Sequence, residues 1–137
     1  MRFHGIYQHD TKDCGVACLA TVCSFYGLKV PLSLIRELEK VNMNGSSIYG
    51  ICKAADILGI AADAFQGEIK ELLYNINETK EISVPLIVHT IKDDFYHFMV
   101  IKKINTKFVW LFDPDRGNVK MKLDSFAKIW TGYFISF

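Results

Sequence analysis

Apolar residues in the first part of the chain recur with the spacing of a helix that is buried nearly all round. They run from Cys14 to Gly27, where the glycine is a typical helix end. Asp13 precedes the run and is a residue type that caps helix N-termini well. The pattern predicts a buried helix that begins at Cys14. Gly15 is expected to let another backbone approach the cysteine sulfur closely.

Two further helices are predicted before the middle of the chain. One carries apolar residues at three- and four-residue spacing over 34–41, with Ser33 as its expected cap. The other begins after Ser46 or Ser47, repeats the same apolar spacing and ends at Gly59. The first half of the chain is therefore predicted to be helical.

The second half changes to runs rich in β-branched and aromatic residues, separated by polar turns. Strands are predicted over residues 60–65, 84–90, 96–104, 108–113, 119–123 and 133–137, and short helices over 68–74 and 124–130. Helices followed by an antiparallel sheet form an α+β layout. We expect the N-terminal helices to pack on the C-terminal sheet.

Composition narrows the class of protein. With 137 residues, half of them hydrophobic, the chain is expected to form one domain over 1–137 with a proper core. The formal net charge is +1 and the basic residues are scattered among the acidic ones, so nothing indicates nucleic-acid binding. Nowhere do eighteen uninterrupted apolar residues occur, and the sequence gives no sign of a membrane span.

Three of the four cysteines, Cys14, Cys18 and Cys23, lie on one predicted helix, where their sulfurs cannot easily bridge. Reduced thiols in a cytosolic compartment are the better interpretation. Cys14 and Cys18 have helical spacing for a shared metal, but no second ligand pair of comparable regularity follows. Neither a metal site nor a phosphate-binding loop is predicted. Cys18, Cys23 and Cys52 are expected to be core thiols.

Cys14 is the strongest candidate for chemistry. The thiolate is the reactive form of cysteine, and the first turn of a helix favours that anion through its unpaired N–H groups and the positive end of its dipole. The alternative for Cys14 is a small core hydrophobe, because free cysteines are often buried. A nucleophile of this kind also needs a base.

His97 is the candidate base, because it lies inside a strongly predicted strand with an acid placed to orient it. If the hairpin turns at residues 104–106, with Asn105 in the left-handed conformation, His97 lies directly opposite Asp113. Asp113 then accepts from one imidazole nitrogen while the other faces the thiol. A one-residue slip of the register would separate the two side chains.

Gln8 lies six residues before Cys14 and supplies a side-chain amide for an oxyanion hole. Together with the backbone N–H of Cys14 it would complete a papain-like set, and the order Gln8, Cys14, His97, Asp113 is the papain-like order. As a surface residue Gln8 would need no explanation. Its weight comes from its position.

Motifs spread over every predicted element carry a resemblance to one family. They are Gln8 with Asp13-Cys14-Gly15, Tyr26-Gly27, Gly45-Ser46-Ser47, Ala54-Ala55 with Leu58-Gly59, Pro85-Leu86-Ile87, His97-Phe98-Met99-Val100, Asp113-Pro114 with Gly117, and Trp130-Thr131-Gly132. With them the chain resembles the bacteriocin-processing, double-glycine leader peptidase domain over nearly its whole length. The resemblance implies a papain-like cysteine peptidase fold and a cysteine endopeptidase that cuts a leader after Gly-Gly.

Carried onto this sequence, the resemblance makes Cys14 the nucleophile, His97 the general base and then acid, Asp113 the orienting group and Gln8 the oxyanion donor. Such domains usually form the N-terminus of peptide-exporting ATP-binding cassette transporters. The implied partners are a precursor peptide and the membrane and ATP-binding parts of an exporter. Proteolysis needs no cofactor, ATP acting only through the transporter. The implied location is the cytoplasm or the cytoplasmic face of the membrane.

The sequence leaves three points open. The chain is either a stand-alone peptidase or a domain excised from a longer exporter, and excision is the expectation. A non-catalytic docking module that binds the leader or cargo is the alternative function, and an unrelated papain-like hydrolase acting on another amide is a third. The resemblance also implies that a helical part of the leader is bound in an apolar groove. The sequence does not locate that groove.

Overall fold

The computed structural model describes residues 3–137. Over this range the chain forms five helices and six strands: α1 (Cys14–Phe25), α2 (Leu32–Glu39), α3 (Ile48–Ile57), β1 (Asp63–Gln66), α4 (Ile69–Asn77), β2 (Leu86–Lys92), β3 (Phe95–Ile104), β4 (Phe108–Asp113), β5 (Gly117–Lys122), α5 (Leu123–Ile129) and β6 (Trp130–Ser136). The predicted α+β class is confirmed. No helix within residues 3–137 is long and apolar enough to cross a membrane.

The first three helices begin close to the predicted residues, but the predicted capping side chains do not all make capping hydrogen bonds. Asp13 occupies the N-cap position of α1 as predicted, but its side chain makes no capping hydrogen bond. In α2 the N-cap position is held by Pro31, two residues earlier than the expected Ser33, because a proline fits the start of a helix. Ser47 caps α3 as predicted, its hydroxyl accepting from the backbone N–H of Gly50 at 2.9 Å.

The strands form one antiparallel sheet in the order β1-β6-β2-β3-β4-β5. β2 and β3 are joined by a two-residue turn in which Asp93 and Asp94 have φ values of 52° and 61°. Two left-handed residues give a turn whose twist matches that of the strands. The turn sets the pairing of His97 with Thr90.

The expected direct pairing of His97 with Asp113 is wrong. The loop between β3 and β4 starts one residue later than expected, and the β3–β4 ladder ends with Val100 opposite Phe112. His97 and Asp113 therefore lie beyond its last pair. Asn105 is not left-handed, because its side-chain oxygen stabilises the loop by accepting from the backbone N–H groups of residues 107 and 108 at 2.8 and 2.7 Å.

The sheet separates two hydrophobic cores. Side chains of α1, α2 and α3 pack in the first core, and those of α4 and α5 pack in the second. Alternate residues of β3 enter the two cores, with Phe98 and Val100 in the first and Met99 and Ile101 in the second. This layering holds α1, which carries Cys14, against the central strand that carries His97.

Candidate active site

Cys14 lies at the first turn of α1 with 8% of its surface exposed. Its backbone N–H belongs to the first turn, where a helix has no internal partner for such groups. Gly15 follows, and a Cβ atom at Gly15 would overlap the side chain of Ser46. The absence of a side chain at Gly15 thus admits the Ser46 side chain, whereas the predicted approach of a backbone to the sulfur stays a prediction.

The side chains of His97 and Asp113 meet although both residues lie beyond the last backbone pair of β3 and β4. The Nε2 atom of His97 lies 2.8 Å from Oδ1 of Asp113, and both side chains are largely buried. Diagonal cross-strand neighbours remain within reach of long or aromatic side chains. Asp113 also accepts from the backbone N–H of Asp115 at 2.9 Å, which fixes the carboxylate. Within residues 3–137 the buried Nδ1 atom of His97 makes no hydrogen bond.

The electrostatics of the pair favour a charged imidazole. Burial opposes the charge, but the adjacent Asp113 carboxylate and the Cys14 thiol outweigh it and raise the pKa of His97 to about 9. Burial also acts to raise the pKa of Asp113, and the hydrogen bonds from His97 and from the Asp115 backbone outweigh it, so this pKa is lowered. At neutral pH the structure therefore holds an imidazolium against a carboxylate.

Gln8 is drawn to this site by its backbone. Its N–H donates to the carbonyl oxygen of Pro114 at 2.9 Å, which ties the N-terminal segment to the turn after Asp113. The side-chain Nε2 donates to the carbonyl oxygen of Asp10 at 3.1 Å, and Oε1 is buried without a partner among residues 3–137. Gln8 is therefore next to the pair, with its amide donor engaged in its own turn.

The candidate site residues line two adjoining cavities. Cys14 opens into a cleft that is also lined by Gly45, Ser46, His89, Tyr96 and Phe98. Gln8, His97 and Asp113 line the neighbouring cavity. Thr11 and Phe95 border both cavities. The four residues predicted from the sequence thus gather around one junction.

Sequence reasoning missed the residues that hold the start of α1. Arg36 donates to both oxygens of Asp13, from Nε at 3.0 Å and from Nη2 at 2.6 Å. Asp13 is 2% exposed, so its carboxylate is held by the guanidinium instead of capping α1. Ser46 donates to the buried carboxyl of Glu39, whose pKa burial raises to about 7. Neither the Arg36–Asp13 nor the Ser46–Glu39 contact could be predicted from the charged residues of the sequence alone.

The remaining thiols are poorly suited to nucleophilic chemistry. Burial raises the pKa of Cys18 well above its usual range, raises that of Cys23 to about 11 and also raises that of Cys52. All four cysteines are free thiols, as predicted. Within residues 3–137 no group of three or more His, Cys, Asp or Glu side chains is placed to hold a metal ion.

A family model and curated relatives match nearly the whole length of the chain. The model described as the peptidase C39 family matches residues 2–137. The lactococcin-G-processing and transport ATP-binding protein LagD of Lactococcus lactis subsp. lactis is 36% identical over 131 residues, which is 95% of this chain and 18% of LagD. The chain thus spans less than a fifth of the curated relatives it matches.

Solved structures match equally well. The peptidase domain of Streptococcus ComA, a bi-functional ABC transporter involved in a quorum sensing pathway, has a TM-score of 0.87 at 30% identity, over 98% of this chain and 96% of that one. A double glycine motif protease from an AMS/PCAT transporter, solved in complex with the leader peptide, has a TM-score of 0.87 at 31% identity, over 98% and 90% of the two chains.

Proposed function

This chain belongs to the peptidase C39 family, as the sequence predicts, and we propose that it removes the leader of bacteriocin-type or similar secreted peptide precursors by cutting after Gly-Gly. One observation carries the proposal. His97 is bonded through Nε2 to Asp113 and lies beside the Cys14 thiol, and its Nδ1 has no hydrogen-bond partner among residues 3–137. The proposal also draws on the double glycine motif protease and on the lactococcin-G-processing protein, both of which are similar to nearly all of this chain.

The proposed roles follow from the hydrogen bonds. Because Nε2 of His97 donates to Asp113, Nδ1 is the nitrogen that takes the proton of Cys14. This proton transfer produces the charged imidazole described above together with the thiolate. The thiolate attacks the carbonyl carbon of the second glycine, and His97 then gives its proton to the departing amine. Water attacks the resulting thioester with His97 as base, and the thiol of Cys14 is restored. Asp113 keeps the imidazole oriented throughout.

The developing oxyanion needs two donors in this scheme. The backbone N–H of Cys14 is one, as an unpaired group of the first helical turn. The amide of Gln8 is the other, and its Nε2 has to leave the carbonyl oxygen of Asp10 when substrate binds. The buried Oε1 of Gln8 has no partner among residues 3–137 that would oppose this rotation.

Selection of glycine is explained by steric access. Only 8% of Cys14 is exposed, and the cleft in front of it is walled by Ser46 from the loop before α3 and by Tyr96 and Phe98 from β3. Residues without side chains bring their carbonyl carbon to such a sulfur, whereas larger residues clash with the walls. The identity of the cargo has no part in this selection.

The setting of the domain is part of the same proposal. Curated relatives are processing and transport ATP-binding proteins several times longer than this chain. We therefore place the domain within, or beside, a peptide-exporting ABC transporter, at the cytoplasmic face of the membrane. ATP serves the transporter in this scheme and takes no part in proteolysis.

The test uses a precursor peptide whose leader ends in Gly-Gly, with products identified by mass spectrometry. The protein is expected to cut after the second glycine. Cys14→Ala should abolish cleavage and still bind the precursor, whereas Cys52→Ser, which changes a half-buried thiol away from the cleft, should cleave normally. Cleavage that persists in Cys14→Ala would contradict the nucleophile.

A non-catalytic docking module is the competing outcome of the same experiment. In that case the wild-type protein binds the precursor without cutting it, and an alkylating reagent modifies Cys14 no faster than free cysteine. The charged state of His97 beside the thiol favours the peptidase.

A further inference from the structure

A second histidine, His89, lines the cleft in front of Cys14 and has no role in the reaction described above. It lies on β2 where the β2–β6 pairing is interrupted between Val88 and Thr90. Irregular pairing of this kind re-aims side chains and is common next to active sites. The interruption leaves the backbone around His89 without its regular β6 partners.

Thr131 of β6 fills that gap. Its hydroxyl donates to the carbonyl oxygen of His89 at 3.1 Å. The hydroxyl oxygen of Thr131 also lies 3.1 Å from Nδ1 of the His89 ring. A threonine hydroxyl has one hydrogen, which is used by the carbonyl. The hydroxyl oxygen therefore accepts from Nδ1, and Nδ1 carries the ring hydrogen.

This assignment leaves Nε2 of His89 with a lone pair and no hydrogen. The ring is held in place by stacking on Tyr96 at 5.2 Å between centroids, with an interplanar angle of 14°, and by Phe98 at 5.0 Å. Burial lowers the pKa of His89, so the neutral form is favoured at physiological pH. Within residues 3–137 no side chain hydrogen-bonds to Nε2.

We propose that Nε2 of His89 accepts a hydrogen bond from a main-chain N–H of the leader segment that lies in the cleft beside Cys14. A glycine pair has no side chains to cover its backbone. A hydrogen-bond acceptor fixed in the cleft wall can therefore bind the main-chain N–H groups of this segment directly. The inference rests on the proposed function, because it concerns how the same cleft holds the Gly-Gly segment. Thr131 acts as a positioning residue that fixes the tautomer.

The first experiment separates KM from kcat. His89→Phe keeps the aromatic ring between Tyr96 and Phe98 but removes the acceptor, and it should raise KM for a Gly-Gly precursor about tenfold with little change in kcat. Thr131→Val removes the hydroxyl that keeps the ring hydrogen of His89 on Nδ1, and it should also raise KM. Thr131→Ser keeps the hydroxyl and should have a KM close to that of the wild type. Thermal unfolding of each variant checks that it is folded.

The second experiment identifies the donor. Precursor peptides with single ester bonds in place of the amides around the Gly-Gly lack one N–H each, and their Kd is measured on Cys14→Ala protein by fluorescence anisotropy. One ester should weaken binding about tenfold and lose this effect when His89→Phe is combined with Cys14→Ala. Esters that all act equally on both proteins overturn the inference.

The outcomes distinguish the inference from the proposed function. If the wild-type protein cuts the precursor and His89→Phe leaves KM unchanged, this inference is wrong and the peptidase function stands. If His89→Phe lowers kcat alone, the residue acts in chemistry and the inference is also wrong. If the wild-type protein neither cuts nor binds the precursor, both fail.

Discussion

The charge of the His97 imidazole depends on the two groups beside it, Asp113 and Cys14. Burial alone would lower the pKa of His97, and the value of about 9 results from Asp113, which is 2.8 Å away, and from the Cys14 thiol. A raised pKa stabilises the folded protein fully below the ordinary value of 6.5, and this contribution is lost as pH rises through about 9. Activity that needs the imidazolium should be lost over the same upper range.

Asp113→Asn should move the alkaline limb of the kcat/KM profile to lower pH. The wild-type limb is expected near pH 9, where the free enzyme loses the His97 proton, and without the carboxylate charge that pKa falls. Precursor cleavage is measured between pH 5 and 10 for the wild type and for the two variants Asp113→Asn and Asp124→Asn. Asp124→Asn, an exposed substitution of the same kind on α5, should leave the limb in place. An alkaline limb shared by all three proteins would mean that Asp113 does not set the charge.

The meeting of His97 with Asp113 could be predicted from the sequence, but not the way in which they meet. Hydrophobic alternation identifies both strands, whereas the register depends on the loop, where Asn105 bonds to the backbone instead of turning left-handed. The side chains still meet because an imidazole reaches beyond the last pair of the ladder. The engagement of the Gln8 amide by Asp10 had no sequence signal.

The start of α1 is shaped by contacts from the loop before α3. Ser46 packs against Gly15 and is bonded to Glu39 at the end of α2, so Cys14 is enclosed on that side. By helix propensity alone, alanine at position 15 would stabilise α1 by about 1 kcal/mol. The packing reverses that expectation, because the added Cβ has no room.

Gly15→Ala should therefore destabilise the protein by about 1–3 kcal/mol, the range for overpacking a filled site. Ser46→Gly, which removes the clashing side chain, should restore much of this loss when the two changes are combined. Urea unfolding of the wild type, both single variants and the double variant gives the coupling. A Gly15→Ala protein more stable than the wild type would show that the loop yields and that helix propensity decides.

Elements were more predictable than their ends. Each helix and strand predicted from periodicity is present, because apolar spacing reflects the face that an element buries. The predicted capping hydrogen bond was absent at α1, where a residue distant in sequence binds the capping side chain instead. Arg36 binds Asp13 from 23 positions away, and no local pattern reports such a partner.

At the scale of the whole molecule the site joins two layers. Cys14 comes from the helical layer, while His97 and Asp113 come from the sheet, so their separation depends on how α1 packs against β3. The α+β layering could be predicted from the order of elements. The strand order could not, since β1 near the middle of the chain pairs with β6, more than sixty residues later, and no local signal encodes that pairing.

Two matched cavity variants separate packing at the site from stability in general. Leu19 of α1 lies in the first core and Leu72 of α4 in the second, and they are 0% and 1% exposed. Leu19→Ala and Leu72→Ala should each destabilise the protein by about 2–5 kcal/mol.

Only Leu19→Ala should also change the site, because α1 can then shift against β3 and alter the approach of Cys14 to His97. We expect a lower kcat and slower alkylation of Cys14 in that variant, measured at a temperature where both proteins are fully folded. Leu72→Ala should keep wild-type values, since its cavity opens on the face of the sheet away from α1 and leaves the α1–β3 contact unchanged. Equal kinetic losses in both variants would mean that the two faces are coupled through the sheet, so that the site depends on the whole fold and not on the α1–β3 contact alone.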